Sequence, residues 1–344
     1  MTLARGAGPG AVPLAALLAV LLLGGSAPAA TPTPGAPRPA PGAAAGTPSA
    51  ATRVRAAVVA IQVQIPPDRP SVATLGEERA GSATVIEPDG LAVTVGYLVL
   101  DAARIDVVLE DGRRTTASIV GHDFESGLAL IRLDPAAGPY AAARLGQSAG
   151  LVPGQPAAIV GVGTPAPAVG VMVRVTSIGS FVAYWEYLLD QAIFVAPHHA
   201  AFGGAALVDP DGALVGVVSL RLAAGHLAIP IDLLGPVRDA LVRTGRPARP
   251  ARPWLGVRAV GVDGGVGIAG VSPTGPAHAA GLRVGDVVLR LNGERVADVE
   301  AFYRRLWAQP MGQPLELSVW REGAVQTVTV SPRDRYATFG LRSP

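Results

Sequence analysis

The sequence predicts a mainly β protein in which antiparallel barrels or a sandwich precede a smaller module of a different type. Charged residues make up only 16% of the 344 residues, while Gly (43) and Pro (32) are abundant. That composition favours short strands joined by turns over long charged helices. From about residue 54 to residue 223, short β-rich runs alternate with turn signals, and the pattern changes after the stretch RPARPARP. Alternating β-α units are not indicated.

The first 29 residues are typical of an export signal. Arg5 gives a weakly basic start, an apolar run extends from Ala11 to Leu23, and Ala27 and Ala29 fit a small-x-small cleavage site. The run is shorter than the ~20 residues that span a membrane. We therefore expect a cleaved signal peptide and an exported chain located in the periplasm or cell envelope. The alternative is an uncleaved segment that anchors the chain to the membrane.

Residues 30–52 consist almost entirely of Ala, Pro, Gly, Thr and Ser and predict a disordered linker. The chain contains no Cys, which excludes disulfides and lipid anchoring through cysteine. The net charge is only +2 and the arginines are scattered, so the sequence indicates no nucleic-acid partner.

Local signals place the elements in order. The runs EPDG and LEDG read as hairpin turns in which Gly supplies a positive φ. Apolar residues at helical spacing predict one helix from Pro230 to Gly245. Residues 246–253 read as a linker. The segment after it contains strands around WLGVRAV, GVGIAGV, DVVLRLNG, LELSVWREG and VQTVTVS, and helices near PAHAAGL and DVEAFYRRLWAQ.

The order of these pieces resembles the HtrA/Deg family of exported trypsin-like serine proteases with a C-terminal PDZ domain. The matching segments are GSATVIEPDGLAVT, DGRRTTASIVGHDFESGLALIRL, LAIPIDLL, RPWLGVRA and GVSPTGPAHAAGLRVGDVVLRLNGERVADVEAF. The resemblance implies a chymotrypsin/trypsin-like double β-barrel over residues 53–245, followed by a small α/β PDZ domain over residues 254–333. It also implies a Ser nucleophile, a His base, an Asp that orients the His, and backbone N–H groups that hold the oxyanion.

The residues at the family's three catalytic positions are different in this chain. The segment TVGYLVL carries Tyr97 at the His position, and SGLALI carries Gly127 at the Asp position. Counting back from the strand that follows the nucleophile places Gly203 at the Ser position, or Phe202 if one residue is inserted. The glycine two positions before the nucleophile is Ala201. None of these side chains can form an acyl-enzyme or act as its base near neutral pH. We therefore predict a pseudoprotease with no catalytic residues.

Other residue pairs could in principle replace the triad. His198 and His199 precede the nucleophile loop and His226 lies near the last barrel strand, but adjacent histidines in a strand point to opposite faces, so we predict no metal site. His122 and Asp123 have the residue types of a base and its orienting acid, yet a polar turn is the simpler interpretation. No cofactor is indicated.

The stretch from Phe181 to Leu189, FVAYWEYLL, is the most aromatic part of the chain. It could form core or a binding patch. We expect an interface or the edge of a groove, because Glu186 in its middle argues against full burial.

The resemblance assigns peptide binding to the PDZ domain. Backbone N–H groups of a short loop would hold a peptide's C-terminal carboxylate, and the peptide would add as a strand beside the segment that follows. We expect that this loop needs glycine at position 256, because a Cβ there would obstruct the close approach of the carboxylate. The candidate residues of the loop and of the facing helix are Trp254, Leu255, Gly256, Val257, Val299, Phe302, Tyr303 and Leu306.

Three functions remain open, of which one is a purely structural scaffold that would bind no peptide through its PDZ domain, and the other two belong to different classes. The first is a non-enzymatic protein that captures peptide C-termini or unfolded exported proteins, or that regulates an active HtrA-type relative by co-assembly. The second is a serine-type endopeptidase with non-standard catalytic residues. Reaction with a fluorophosphonate probe would discriminate between them.

Overall fold

The computed structural model describes residues 50–163 and 168–340. The predicted signal peptide (1–29) and residues 30–49 of the predicted linker lie outside these residues. Helix α1 (Ala50–Ala57) begins inside the predicted linker and therefore differs from the prediction. Its Val54 and Ala57 side chains are buried, because the helix packs one face against the barrels.

The first barrel is a closed antiparallel sheet with the strand order β1-β2-β3-β6-β5-β4. Two single-turn helices, α2 (Val72–Leu75) and α3 (Gly96–Val99), interrupt the strands. The Val, Ile and Leu side chains of the short strands fill the interior of the barrel. The strands are β1 (Val58–Gln64), β2 (Glu78–Val85), β3 (Leu91–Val95), β4 (Arg104–Val108), β5 (Arg114–His122) and β6 (Leu128–Leu133).

The second barrel is also closed, with the strand order β10-β11-β12-β9-β8-β7. Its interior is apolar. Other buried residues of this barrel pack with those of the first barrel in one continuous core. The prediction of a chymotrypsin-like double β-barrel is confirmed. The strands are β7 (Pro156–Val162), β8 (Ala168–Ala183), β9 (Tyr187–Ala196), β10 (Ala206–Val208), β11 (Leu214–Leu222) and β12 (Gly225–Pro230).

The helix predicted from Pro230 to Gly245 is shorter in the structure. Pro230 ends β12, a 3-10 turn spans Ile231–Leu233, and α4 covers Gly235–Thr244. Gly245 ends the helix in the left-handed conformation (φ 78°), which glycine adopts without steric cost.

The C-terminal module comprises residues 253–338 and is built around a sheet with the order β14-β15-β16-β18-β19. Strand β14 is one edge strand of this sheet, and helix α6 packs over the module's core. The elements are β13 (Pro253–Trp254), β14 (Val257–Val262), β15 (Gly265–Val271), α5 (Pro276–Ala279), β16 (Val287–Leu291), β17 (Glu294–Arg295), α6 (Val299–Trp307), β18 (Leu315–Arg321), β19 (Ala324–Val330), β20 (Arg333–Asp334) and α7 (Arg335–Thr338).

Ion pairs fix the predicted linker, residues 246–253, against the first barrel. Arg249 contacts Asp123 at 2.6 Å and Glu125 at 2.9 Å, and Arg252 contacts Glu125 at 2.9 Å. The module is thereby held beside the barrels, which matters for the site described next.

Candidate functional site

Tyr97 lies in α3, directly after β3, and its side chain points toward the second barrel. Its hydroxyl donates a hydrogen bond to the carbonyl oxygen of Ser219 at 2.8 Å. Burial raises the pKa of the phenol above its ordinary value. Tyr97 is therefore neutral and engaged as a donor, and it cannot accept a proton as an imidazole would.

Gly203 lies beside Tyr97, in the loop before β10. Its carbonyl oxygen accepts a hydrogen bond from the N–H of Ser82 at 2.8 Å, and a Cβ added to it would lie 3.1 Å from the Tyr97 hydroxyl. The alternative position, Phe202, instead stacks on His226 with ring centroids 5.2 Å apart. Of the two candidates, Gly203 is the one that faces Tyr97.

Gly127 contacts Gly96, the residue that precedes Tyr97. Its carbonyl oxygen accepts a hydrogen bond from the N–H of Gly96 at 2.7 Å. Its φ of +80° is in the region that favours glycine, and a Cβ on it would lie 2.9 Å from the Tyr187 hydroxyl. That hydroxyl donates to the carbonyl oxygen of Ser126 at 2.6 Å. The structure thus brings Tyr97, Gly127 and Gly203 together, with tyrosine hydroxyl groups in the adjacent space.

The histidines of the loop before Gly203 form internal hydrogen bonds. The N–H of Ala201 donates to Nδ1 of His199 at 2.9 Å, and Nε2 of His199 lies 3.0 Å from the carbonyl oxygen of Val169. This pattern assigns the His199 proton to Nε2. The N–H of His199 in turn donates to Nε2 of His226 at 2.8 Å. Within residues 50–163 and 168–340, no group of three or more His, Asp or Glu side chains is arranged to hold a metal ion.

His122 and Asp123 do not form an acid-base pair. His122 is 1% exposed, and neither of its ring nitrogens has a hydrogen-bond partner among the described residues. Burial lowers the pKa of His122 to about 4. The Asp123 carboxylate instead pairs with Arg249 and lies 3.4 Å from the Tyr336 hydroxyl. Asp123 therefore belongs to the contact between the first barrel and the C-terminal module, whereas the N–H of His122 donates to the carbonyl oxygen of Gly245 at the end of α4.

The loop before β14 presents three consecutive backbone N–H groups to a carboxylate, and that carboxylate belongs to Glu186. The N–H of Leu255 donates to Oε2 at 3.0 Å, while those of Gly256 and Val257 donate to Oε1 at 2.7 and 2.9 Å. Charge-assisted hydrogen bonds from several amides are a strong way to hold an anion. The candidate loop can therefore bind a carboxylate.

The expectation that Glu186 prevents burial of the aromatic stretch is wrong. Glu186 is 4% exposed, because the three amides replace the water that its carboxylate loses. Burial raises the pKa of Glu186, while the amide donors and the charge of Arg335 oppose that shift. The location of the stretch at an interface agrees with the expectation, since Tyr184 and Glu186 in its turn contact the C-terminal module.

The structure adds a further reason for glycine at position 256. Its φ is +80°, and a Cβ would lie 3.0 Å from Cα of Gly275 and 3.1 Å from the Trp254 ring. Glycine is thus required by the backbone conformation and by packing within the module.

The remaining candidate residues lie in the core of the module or pack against it. Phe302, Tyr303 and Leu306 of α6 are fully buried in the module, and Trp254 is 7% exposed. The Tyr303 hydroxyl reaches out of the core and accepts a hydrogen bond from the N–H of Glu186 at 2.9 Å. Val299 packs at the periphery of the core. Sequence reasoning missed Glu186 as a functional residue, and its only signal was an acid inside an aromatic stretch.

Two family descriptions match the chain over the parts described above. "Trypsin-like peptidase domain" matches residues 81–217, and "PDZ domain" matches residues 253–331. The two closed barrels and the attached module therefore define a protein that joins a trypsin-like peptidase domain to a PDZ domain.

Individual relatives narrow this class. The chain is 31% identical over 75% of its length to the Halomonas elongata protein named "Probable periplasmic serine endoprotease DegP-like", and 27% identical over 68% of its length to "Serine protease Do-like HtrA" of Lactobacillus helveticus. It spans 57% and 63% of these two proteins. The chain belongs to the HtrA-type family.

Solved structures agree with this assignment. "HtrA-type protease AlgW with decapeptide" is 25% identical, with a TM-score of 0.52 over 86% of this chain and 98% of that one. "HtrA-type protease AlgW with tripeptide" is also 25% identical, with a TM-score of 0.51 over 83% and 96% of the two chains.

Proposed function

We propose that this protein is an HtrA-type pseudoprotease that binds protein C-termini or unfolded exported proteins through its PDZ domain. In this role it acts in quality control as a scaffold or capture protein, or regulates an active relative by co-assembly. The single observation that carries the proposal is the pair Tyr97 and Gly203, which stand side by side where a base and a nucleophile are needed.

The geometry around this pair supports the loss of catalysis. Acyl transfer needs a nucleophile, a base that accepts its proton, and donors aimed at the developing oxyanion. Tyr97 already donates to Ser219, and the N–H of Ala201, one of the two positions that would hold the oxyanion, already donates to His199. Loss of triad members leaves only residual catalysis, on the order of a million-fold below an intact enzyme.

Carboxylate binding by the loop before β14 supports the proposal that the PDZ domain binds protein C-termini. PDZ domains bind a peptide as an added edge strand, with main-chain hydrogen bonds that give affinity. The amides of Leu255, Gly256 and Val257 already hold one carboxylate, and β14 is the edge strand of its sheet. The similarity to AlgW structures that contain a decapeptide or a tripeptide agrees with this role.

Export to the periplasm or cell envelope completes the proposal. It rests on the signal-like residues 1–29 and on a relative that is named as periplasmic. Within the part of the chain that the structure describes, no helix is both long and apolar enough to cross a membrane.

The names of the relatives favour a second candidate, an active serine-type endopeptidase. A fluorophosphonate probe, which reacts with activated serines, separates the two candidates. We expect no labelling of the purified chain and no cleavage of casein, with trypsin as the positive control. Ser82 and Ser219 are the serines whose backbone contacts Gly203 and Tyr97, so Ser82→Ala and Ser219→Ala are the informative variants. Labelling or proteolysis that one of them abolishes would establish the endopeptidase and overturn the pseudoprotease.

A further inference from the structure

The turn between β8 and β9 places a charged residue where a glycine is ordinarily needed. The turn consists of Tyr184, Trp185 and Glu186, and Glu186 has a φ of 55°. Three-residue hairpin loops commonly end in a residue with this left-handed conformation, and glycine is preferred there. A glutamate tolerates the conformation only with strain, so its presence points to a use for its side chain.

That side chain ends at the loop before β14, and its contacts are those that a terminal carboxylate would make. The two Glu186 oxygens accept three hydrogen bonds, from the N–H groups of Leu255, Gly256 and Val257, at 2.7–3.0 Å. Each donor belongs to the PDZ domain, and the acceptor belongs to the second barrel. The anion site is therefore filled from within the same chain.

The edge of β14 is also occupied by this turn. Strand β14 pairs with β15 on one side only, so alternate N–H groups on its other side are available to an incoming strand. The N–H of Val257 donates to Glu186, and the N–H of Ala259 donates to the carbonyl oxygen of Tyr184 at 2.7 Å. A peptide added at this edge would need both donors.

Helix α6, the opposite wall of the groove, holds the same segment. The Tyr303 hydroxyl accepts a hydrogen bond from the N–H of Glu186 at 2.9 Å, and Glu300 accepts one from the Ser180 hydroxyl at 3.1 Å. Arg304 forms an ion pair with Asp190. The hairpin is thus held by the carboxylate loop, the edge strand and the helix together.

We propose that the β8–β9 turn is an internal ligand of the PDZ groove, and that a partner's free C-terminal carboxylate binds this protein by displacing the Glu186 side chain. The identity of the incoming ligand rests on the proposed function, whereas the internal occupancy stands on the contacts above. Because one site cannot hold two carboxylates, the turn and the peptide compete. The apparent affinity for a peptide is then reduced by the fraction of molecules in which the turn is bound.

The test uses the full chain and fluorescein-labelled octapeptides that end in Ala, Val, Leu or Phe, each as a free acid and as an amide. Glu186→Gly removes the carboxylate and supplies the residue that the turn conformation prefers, so the hairpin is not strained by the change. Glu186→Gln keeps the length of the side chain and removes its charge. Glu316→Gln, at an exposed position on β18, is the matched control.

We expect Glu186→Gly to bind the free-acid peptides about 5- to 150-fold more tightly than the wild-type chain, the range of ordinary coupling between sites. Glu186→Gln should lie between them, and Glu316→Gln should match the wild type. The amides should bind weakly to every variant. Equal affinity of the wild-type chain and both Glu186 variants for free-acid peptides would overturn the inference.

Hydrogen exchange gives a second readout that requires no substitution. Adding a saturating free-acid peptide to the wild-type chain should speed exchange of the Glu186 amide, which is freed from Tyr303, while the amides of Val257 and Ala259 stay protected. Unchanged Glu186 exchange in a peptide-bound chain would contradict displacement. If no peptide binds any variant but Glu186→Gly deprotects Val257 and Ala259, the proposed peptide function fails and the internal occupancy stands.

Discussion

The hydroxyl of Tyr97 lies 3.1 Å from the point where a Cβ on Gly203 would be placed, so the residues predicted at the base and nucleophile positions face each other. The phenol donates a hydrogen bond to the carbonyl oxygen of Ser219, which belongs to the second barrel. The hydroxyl of Tyr97 thus forms a hydrogen-bonded contact between the two barrels.

The triple variant Tyr97→His, Gly127→Asp and Gly203→Ser should not cleave casein. The structure opposes restoration of the acid, because Gly127 has a φ of +80° and a Cβ on it would lie 2.9 Å from the Tyr187 hydroxyl. A residue other than glycine in this conformation costs about 1–2 kcal/mol before the contact is counted. The triple variant should therefore also unfold at lower urea concentration than the double variant that keeps Gly127. Turnover by the triple variant would show that the catalytic geometry had survived.

Tyr97→Phe should lower the free energy of unfolding by about 1–2 kcal/mol, because it leaves the partly buried Ser219 carbonyl without its donor. Urea denaturation monitored by tryptophan fluorescence measures the change. Tyr184→Phe is the control, since that side chain is 39% exposed and its loss of a hydroxyl should have little effect. A Tyr97→Phe chain as stable as the wild type would mean that the contact between the barrels contributes nothing.

The stability of the chain should fall between pH 7 and pH 5 in part through His122. Burial holds the pKa of this residue at about 4, against an ordinary value of 6.5, so the unfolded chain binds the proton more readily. The stabilisation is present in full above pH 6.5 and is lost as the pH falls toward 4. Proton uptake by His122 in the unfolded chain should lower the free energy of unfolding by about 2 kcal/mol between pH 7 and pH 5.

His122→Leu should remove this part of the pH dependence, because neither ring nitrogen has a partner to lose among the described residues. Urea titrations at both pH values compare it with His278→Leu, a substitution at an exposed position. If the two variants lose the same stability on acidification, His122 is not the group responsible.

Residues 251–340, expressed without the barrels, should fold and bind octapeptides with a free apolar C-terminus at about micromolar Kd. The module has its own core, and the segment that fills its groove is removed with the barrels. Fluorescence anisotropy should show tighter binding than in the full chain, and amidation of the peptide should abolish it. Equal binding of acid and amide would contradict the assignment of the loop at Leu255, Gly256 and Val257.

The sequence by itself determined the class of fold, because turn signals and apolar periodicity are local properties that short strands carry in their own residues. It also determined which residue types stand at Tyr97, Gly127 and Gly203, and the prediction of a pseudoprotease rests on these types. Local patterns likewise placed α4 and α6, although the first turn predicted for α4 became part of β12 and a 3-10 turn.

Only the tertiary structure decided what surrounds these residues. Glu186 and Gly256 lie 70 positions apart in the chain, and no local pattern indicates that one binds the other. An acid in an aromatic stretch predicts exposure, because a buried charge is costly without partners. Here the partners are backbone amides, which are present at nearly every residue and therefore leave no signal in the sequence. Their direction is set by the fold, and this is why the occupied groove could not be predicted from the sequence.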